Sequence, residues 1–338
     1  MTAPTTAETR RRTETTPAPA PSRTSGPFPT RRQRLRYLVV LGVLGGLALV
    51  SGFGYLALGN PMPFGSAGFW RIAELRVTTI VVIATVAFSQ TMATVSFQTV
   101  TNNRIITPSV LGFEALYVVI QTAAVYFFGV TGLVALQGLA PFVVQVAVMV
   151  VLSVVLYGTL LSGRHANLQV MLLTGIVIGI GLTSVSTFMR RLLTPSEFDV
   201  LAARMLGSIA NADGGYLPVA VPLSLGAGAL LWRRARRLNV FGLGPDTAAD
   251  LGVDPRRELL IVLTLVSVLV AVSTALVGPM TFLGFLVATL AYQFADTNDH
   301  RLIFPIGVLT GFGVQDGAYV VMKHVFYAQG LVSIIIEF

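Results

Sequence analysis

Long apolar runs alternate with short polar segments along the chain. The runs cover roughly 37–58, 77–99, 110–128, 139–162, 168–189, 216–232, 258–277, 279–295 and 302–326. Most approach or exceed the ~20 residues with which a helix crosses a bilayer, so each predicts a spanning helix. A further run starts near Gln329 and reaches Phe338. It is too short to cross, which leaves a tenth helix truncated or re-entrant. The polar segment 190–215 contains apolar residues at helical spacing between Ser196 and Gly207, which predicts either a short helix lying on the membrane surface or a loop packed on the span ends.

Composition sharpens this pattern. The 338 residues are 54% hydrophobic and 11% charged, against about 25% charged in soluble domains. The chain therefore reads as an all-α polytopic membrane protein. The net charge of +8 does not indicate nucleic acid, because the arginines fall between apolar runs and in the N-terminal tail. Residues 1–36, rich in Thr, Pro, Ala and Arg, read as a disordered basic tail. The run after it is too long for a signal-peptide core and lacks a clear cleavage site. Arginines crowd the tail and the loop 233–257. Arg71, Arg76, Arg190, Arg191, Arg204 and Lys323 fall on or near the other side. The positive-inside rule then puts the N-terminus in the cytoplasm.

Several chemistries are disfavoured. With no cysteine, disulfides, thiolate metal sites and cysteine nucleophiles are excluded. The only lysine, Lys323, lies in no Walker A loop, so ATP-driven work must use another chain. His165, His300 and His324 form no zinc signature. Intramembrane polar groups are costly and tend to face protein or water. Glu114 near the inner end of the third span and Gln121 two turns along the same face are therefore candidates to line a path, or else to bond neighbouring helices. Gln315 and Asp316, and Lys323 with His324, pose the same choice. They are too few and scattered for a proton relay.

The loop 233–257 is the most informative segment. Gly244 can cap a short helix and Pro245 suits its first turn. Asp246 complements the helix N-terminus, and Gly252 can end the helix in a left-handed turn. Arg233, Arg234, Arg236 and Arg237 precede it; Arg256 and Arg257 follow. Such a helix is placed to receive force from a cytoplasmic partner.

The loop Gly242-Leu-Gly-Pro-Asp-Thr-Ala-Ala-Asp-Leu-Gly-Val253 resembles the Leu-Gly-x3-Ala-x2-Leu-Gly-Val motif of permease subunits of ferric-siderophore, haem and cobalamin ABC importers. Phe97-Gln-Thr-Val-Thr-Asn-Asn-Arg-Ile-Ile-Thr-Pro-Ser-Val-Leu-Gly-Phe113, Gly278-Pro-Met-Thr-Phe-Leu-Gly-Phe285 and Asp299-His-Arg301 resemble three further family segments, in order. The chain has Asn103-Arg-Ile105 where the family often has Asn-Pro-Leu, and Ala288-Thr289 where it often has Pro-His. Both departures resemble the iron-chelate branch, favouring a siderophore over cobalamin; a haem or cobalamin importer permease is the alternative within the family.

The resemblance implies a type II ABC importer permease fold of about ten helices over residues 37–338, in a bacterial cell membrane. It implies a second permease subunit, copy or paralogue, two ATPase subunits that hold ATP and Mg, and an extracytoplasmic siderophore-binding protein. It makes 233–257 the coupling loop, with Gly244, Asp246, Thr247, Ala248, Ala249, Leu251 and Gly252 at the ATPase. It makes Arg71, Arg76, Arg190, Arg191 and Arg204 candidates for docking the binding protein. Glu114 and Gln121 would border the central path near its cytoplasmic end. An ion-coupled secondary transporter is the alternative from another class.

Overall fold

The structure, a computed structural model, describes residues 26–28, 30–57, 62–135, 137–162, 168–205, 207–209 and 212–324. Among them the chain is helical, with no strand. The helices are α1 (Arg31–Ala57), α2 (Ala67–Val100), α3 (Phe113–Ala135), α4 (Leu139–Ser162), α5 (Leu168–Arg191), α6 (Pro195–Met205), α7 (Leu217–Arg233), α8 (Ala235–Phe241), α9 (Pro245–Asp250), α10 (Pro255–Val277), α11 (Thr281–Ala295) and α12 (His300–His324). Among the described residues, each of the nine apolar runs falls largely on a helix, and seven helices are long and apolar enough to cross a membrane. The run from Gln329, His165 and most of the basic tail lie outside the described residues, as do the side chains of Lys323 and His324.

The boundaries differ from expectation at three places. α1 begins at Arg31, inside the segment expected as tail, where Thr30 Oγ1 accepts the Gln33 N–H at 3.2 Å. α2 begins at Ala67, capped by Ser66, whose hydroxyl accepts the Phe69 N–H at 3.2 Å. Arg71 and Arg76 are therefore residues of α2 itself. α3 begins at Phe113, not at residue 110 where the apolar run starts, because Pro108–Leu111 forms a separate 3-10 turn closed by Gly112 at φ 91°. The surface helix expected in 190–215 is α6. Thr194 and Glu197 cap it, the Thr194 N–H and hydroxyl donating to Glu197 Oε2 at 3.0 and 2.8 Å. These bonds hold the exposed Glu197 carboxyl below its ordinary range.

α2 and α10 form the centre of the bundle. α2 packs most heavily against α10 and α12, and α10 also against α4 and α7. Polar side chains tie these helices where apolar packing alone gives no preference for protein over lipid. Gln90 Nε2 donates to Ser273 Oγ at 3.1 Å, Ser89 to Ser224 at 3.0 Å, and Thr91 to the Gly307 carbonyl at 3.1 Å. α1, by contrast, leaves Leu38, Val43, Leu47, Val50 and Phe53 exposed, an apolar face suited to hydrocarbon.

Candidate translocation cavity and coupling surface

The approach of the 3-10 turn to α5 creates the first site. A Cβ at Gly112 would lie 3.0 Å from Gly179 Cα, and one at Gly175 would lie 2.8 Å from Leu111 Cδ2. Only glycines permit that contact without displacement. The Leu111 carbonyl accepts the Tyr157 hydroxyl at 2.9 Å, and Phe113 stacks on Tyr157. The chain after α2 thus doubles back among the helices, and α3 starts beside the middle of α5.

Glu114 consequently lies deep. Its Oε1 accepts the Ser109 hydroxyl at 2.8 Å and the Met280 N–H at 3.3 Å; Oε2 accepts the Thr281 hydroxyl at 2.7 Å. Met280 and Thr281 follow the C-terminal end of α10, whose N-terminal end adjoins the 233–257 loop. Expected on the side of the 233–257 loop, Glu114 instead meets residues that follow the opposite end of α10. Glu114 sits well away from that loop, because the re-entrant turn carries it inward.

A cavity of about 830 Å³ lies over this contact. Glu114 and Ser109 stand at one end of its lining. Thr183, Ser184 and Thr187 form a hydroxyl row along α5, each donating to a carbonyl of its own helix at 2.8–2.9 Å. Their oxygens remain able to accept. Arg190 and Arg191 close the other end, eleven and twelve residues from Gly179, or about 17 Å along the helix. The cavity therefore runs from cationic to anionic along a hydroxylated wall.

Gln121 does not share it. It is buried and donates to Gln145 Oε1 at 3.3 Å. It lines a second recess of about 560 Å³ with Arg204, Asp213 and Tyr216. Glu114 and Gln121 lie on nearly the same face of α3 but about 10 Å apart along it, and so they line different cavities. The five arginines also part. Arg71 and Arg191 are exposed. Arg190 Nη2 donates to Thr187 Oγ1 at 3.0 Å, and Arg204 lies on the second recess. Arg76 is buried, donating to the Tyr55 carbonyl at 2.8 Å and lying over the Tyr55 ring. Its assignment to docking is corrected: it caps the C-terminal end of α1, where carbonyls lack helical partners.

The second site is the 233–257 segment, at the opposite end of α7 from 190–215. Gly244 at φ 106° starts α9 and Gly252 at φ 81° ends it, with the Val253 N–H donating to the Ala248 carbonyl at 2.9 Å. Leu243 and Leu251 are 64% and 60% exposed, flanked by exposed Asp246, Thr247 and Ala249. Ala248 is wholly buried against the cluster that holds Leu238 and Phe241. It supports the helix from behind, contrary to the expectation that it meets a partner. Sequence reasoning missed Leu243 and α8. The signal was Leu231, Ala235, Leu238 and Phe241 at helical spacing, all buried, behind a run of arginines that reads as loop.

α8 is pinned at both ends. Arg234 Nη1 lies 2.6 Å and Arg237 Nη1 3.4 Å from Glu258 Oε2. At the other end Asn239 Nδ2 donates to Asp299 Oδ1 at 2.9 Å, and Asn239 Oδ1 accepts the His300 N–H at 2.9 Å. Burial pulls the His300 ring down to about 4, with Asp299 opposing.

A model of the FecCD transport family matches residues 38–338. The chain belongs to the FecCD transport family. This FecCD chain is 49% identical over 316 residues to the petrobactin import system permease protein FatC of Bacillus anthracis, covering 94% of this chain and 89% of FatC. It is 35% identical over 293 residues to the petrobactin import system permease protein YclO of Bacillus subtilis, covering 86% of this chain and 93% of YclO. Its fold matches a solved structure described as an inward-facing conformation of a metal-chelate type ABC transporter. The TM-score is 0.76 at 19% identity, over 89% of this chain and 95% of that one. The FecCD segments named from sequence thus fall on the larger cavity (Gly112, Thr281), on the 233–257 segment (Leu243 to Gly252) and on the junction of α8 with α12 (Asp299 and His300).

Proposed function

We propose that this chain is the permease subunit of an ATP-driven importer of ferric siderophores. The observation that carries the reading is 49% identity with the petrobactin permease FatC along nearly the whole of both chains. Residues 37–338 form the membrane domain, with about ten spans and a cytoplasmic N-terminus. ATPase subunits, which hold ATP and Mg²⁺, dock on the exposed face of Leu243, Asp246, Thr247, Ala249 and Leu251. A second permease, copy or paralogue, faces the α3–α5 cavity and completes the path. An extracytoplasmic binding protein docks at the opposite end, where Arg71 and Arg191 are exposed.

The cavity suits this cargo. Ferric siderophores are large and often anionic. Arg190 and Arg191 attract such a chelate, the hydroxyls of α5 offer weak polar contacts, and Glu114 disfavours tight retention. The permease performs no bond chemistry. ATP in the partner chains biases two conformations through their differential contacts with α9. The test is reconstitution with the ATPase, partner permease and binding protein in proteoliposomes loaded with ATP. Uptake of radioactive iron as its petrobactin chelate, unaffected by excess cobalamin or by collapse of the proton gradient, is expected. Uptake that persists without ATP and follows the proton gradient overturns the reading.

A further inference from the structure

α12 runs between the two sites, and besides the apolar packing of Ile303, Phe304 and Ile306 it makes buried polar contacts towards each. At its start, His300 is held on two sides. Asn239 Oδ1 lies 2.6 Å from His300 Nδ1, and Thr99 Oγ1 lies 2.6 Å from Nε2. Asn239 Oδ1 also accepts the His300 backbone N–H while Nδ2 donates to Asp299, so the amide orientation is fixed by its neighbours. A neutral ring then carries its proton on Nδ1 and accepts at Nε2, so the single Thr99 hydroxyl proton, which also has the Val95 carbonyl at 2.9 Å, turns to Nε2 at 2.6 Å. Thr99 lies in the last turn of α2, Asn239 in the last turn of α8, and His300 begins α12. Fifteen residues along α12, about 22 Å, Gln315 Nε2 lies 3.5 Å from Met280 Sδ. The Met280 N–H donates to Glu114, and Thr281 beside it lines the cavity.

We infer that Asn239, His300 and Thr99 are coupling residues, which carry displacement of α8 and α9 into α2 and α12 and, through Gln315 and Met280, to the cavity floor at Glu114. This rests on the importer reading above. The physical case is directional. α8 and α9 move together, because Ala248 packs with Leu238 and Phe241. Greasy contacts allow sliding, whereas a buried network with fixed donors and acceptors has few alternative arrangements. α8 therefore cannot shift without either breaking this junction or taking α2 and α12 with it. A contiguous chain of contacts is not itself coupling, so the measurement must be of coupling.

The experiment uses the complete transporter, reconstituted with its ATPase, partner permease and binding protein. Thr99→Val keeps shape and loses the hydroxyl; Thr99→Ser keeps the hydroxyl. Iron taken up per ATP hydrolysed is measured for both, and for Asn239→Ala. Thr99→Val and Asn239→Ala are expected to lower this ratio by roughly fivefold or more, with ATP hydrolysis continuing. Thr99→Ser is expected to stay close to wild type. If Thr99→Val and Asn239→Ala lower only the yield or melting temperature of the assembled transporter, with wild-type uptake per ATP, the junction is structural and the inference is overturned. If the wild-type assembly shows no ATP-dependent uptake, the importer reading falls and the inference with it.

Discussion

Arg234 places a guanidinium nitrogen 2.6 Å from a carboxylate oxygen of Glu258, whose side chain is 3% exposed. The pair joins the start of α8 to the start of α10. Arg237 reaches the same oxygen at 3.4 Å but is 61% exposed. Breaking a buried pair strands the remaining charge, at about 3 kcal/mol, whereas an exposed partner contributes ~0–1 kcal/mol. Arg234→Ala is therefore expected to destabilise the chain far more than Arg237→Ala. Thermal unfolding in detergent checks the order; equal losses contradict it.

Neighbouring alanines of α9 should behave oppositely. Ala248 is wholly buried and Ala249 is exposed. Ala248→Arg overfills the packing behind the helix and leaves a charge there, so folded protein should be lost. Ala249→Arg should fold normally and fail at the partner, with substrate-stimulated ATP hydrolysis and uptake falling together. Leu251→Ala removes an exposed apolar side chain and should weaken ATPase binding by about 1 kcal/mol or more. Full activity in Ala249→Arg removes α9 as the docking element.

The contact of the re-entrant turn with α5 leaves no room for a methyl group. Gly112 combines φ 91° with a 3.0 Å approach to Gly179. Gly112→Ala adds both left-handed strain, ~1–2 kcal/mol, and overpacking, ~1–3 kcal/mol. Gly181→Ala, with nothing within 4 Å of its Cβ, should be neutral or slightly stabilising, since alanine favours helix. Melting temperatures of the two variants decide the matter.

Much of this was legible in the sequence, because spanning helices need long apolar runs and those runs mark them with little ambiguity. The α9 motif was equally legible, since Gly244, Pro245 and Gly252 each meet a stereochemical demand at a helix end. The re-entrant turn was not. Pro108 and Gly112 mark a break, but nothing in them says that the break inserts beside Gly175 and Gly179. Arg76 misled because arginine at a span end suits both a docking surface and the carbonyls of a neighbouring helix. Glu258 and Asn239 escaped notice because their roles lie in contacts with distant segments.

His300 gives stability a pH dependence of definite sign. Its ring is held at about 4 by burial, below the ordinary 6.5. Between these values the unfolded chain binds the proton and the folded one does not. The contribution is therefore complete above pH 6.5 and is lost as pH falls towards 4, about 3 kcal/mol in all. His300→Gln should flatten the fall in melting temperature between pH 7 and pH 5. An unchanged slope would assign that fall to other groups.

The last prediction separates the two cavities. Glu114 and Gln121 are two turns apart on α3, yet Glu114 meets Thr281 below the α5 hydroxyl row and Gln121 meets Gln145 beside Arg204. The native chain has no cysteine, so single cysteines report cleanly. Cysteine replacing Ser184 or Thr187 should react with a water-soluble maleimide, and bound ferric chelate should protect it, because both line the larger cavity. Cysteine replacing Gln121 should react more slowly, as expected of a buried position, and the chelate should not alter its rate. Arg191→Glu should slow uptake of an anionic chelate more than that of a neutral one, since reversing the charge at the cationic end removes its attraction. That difference should shrink in high salt, which screens exposed charges beyond ~8–10 Å. If the chelate protects position 121 and leaves positions 184 and 187 reactive, the path runs along α3 as expected from sequence, and the wall formed by α5 is not its lining.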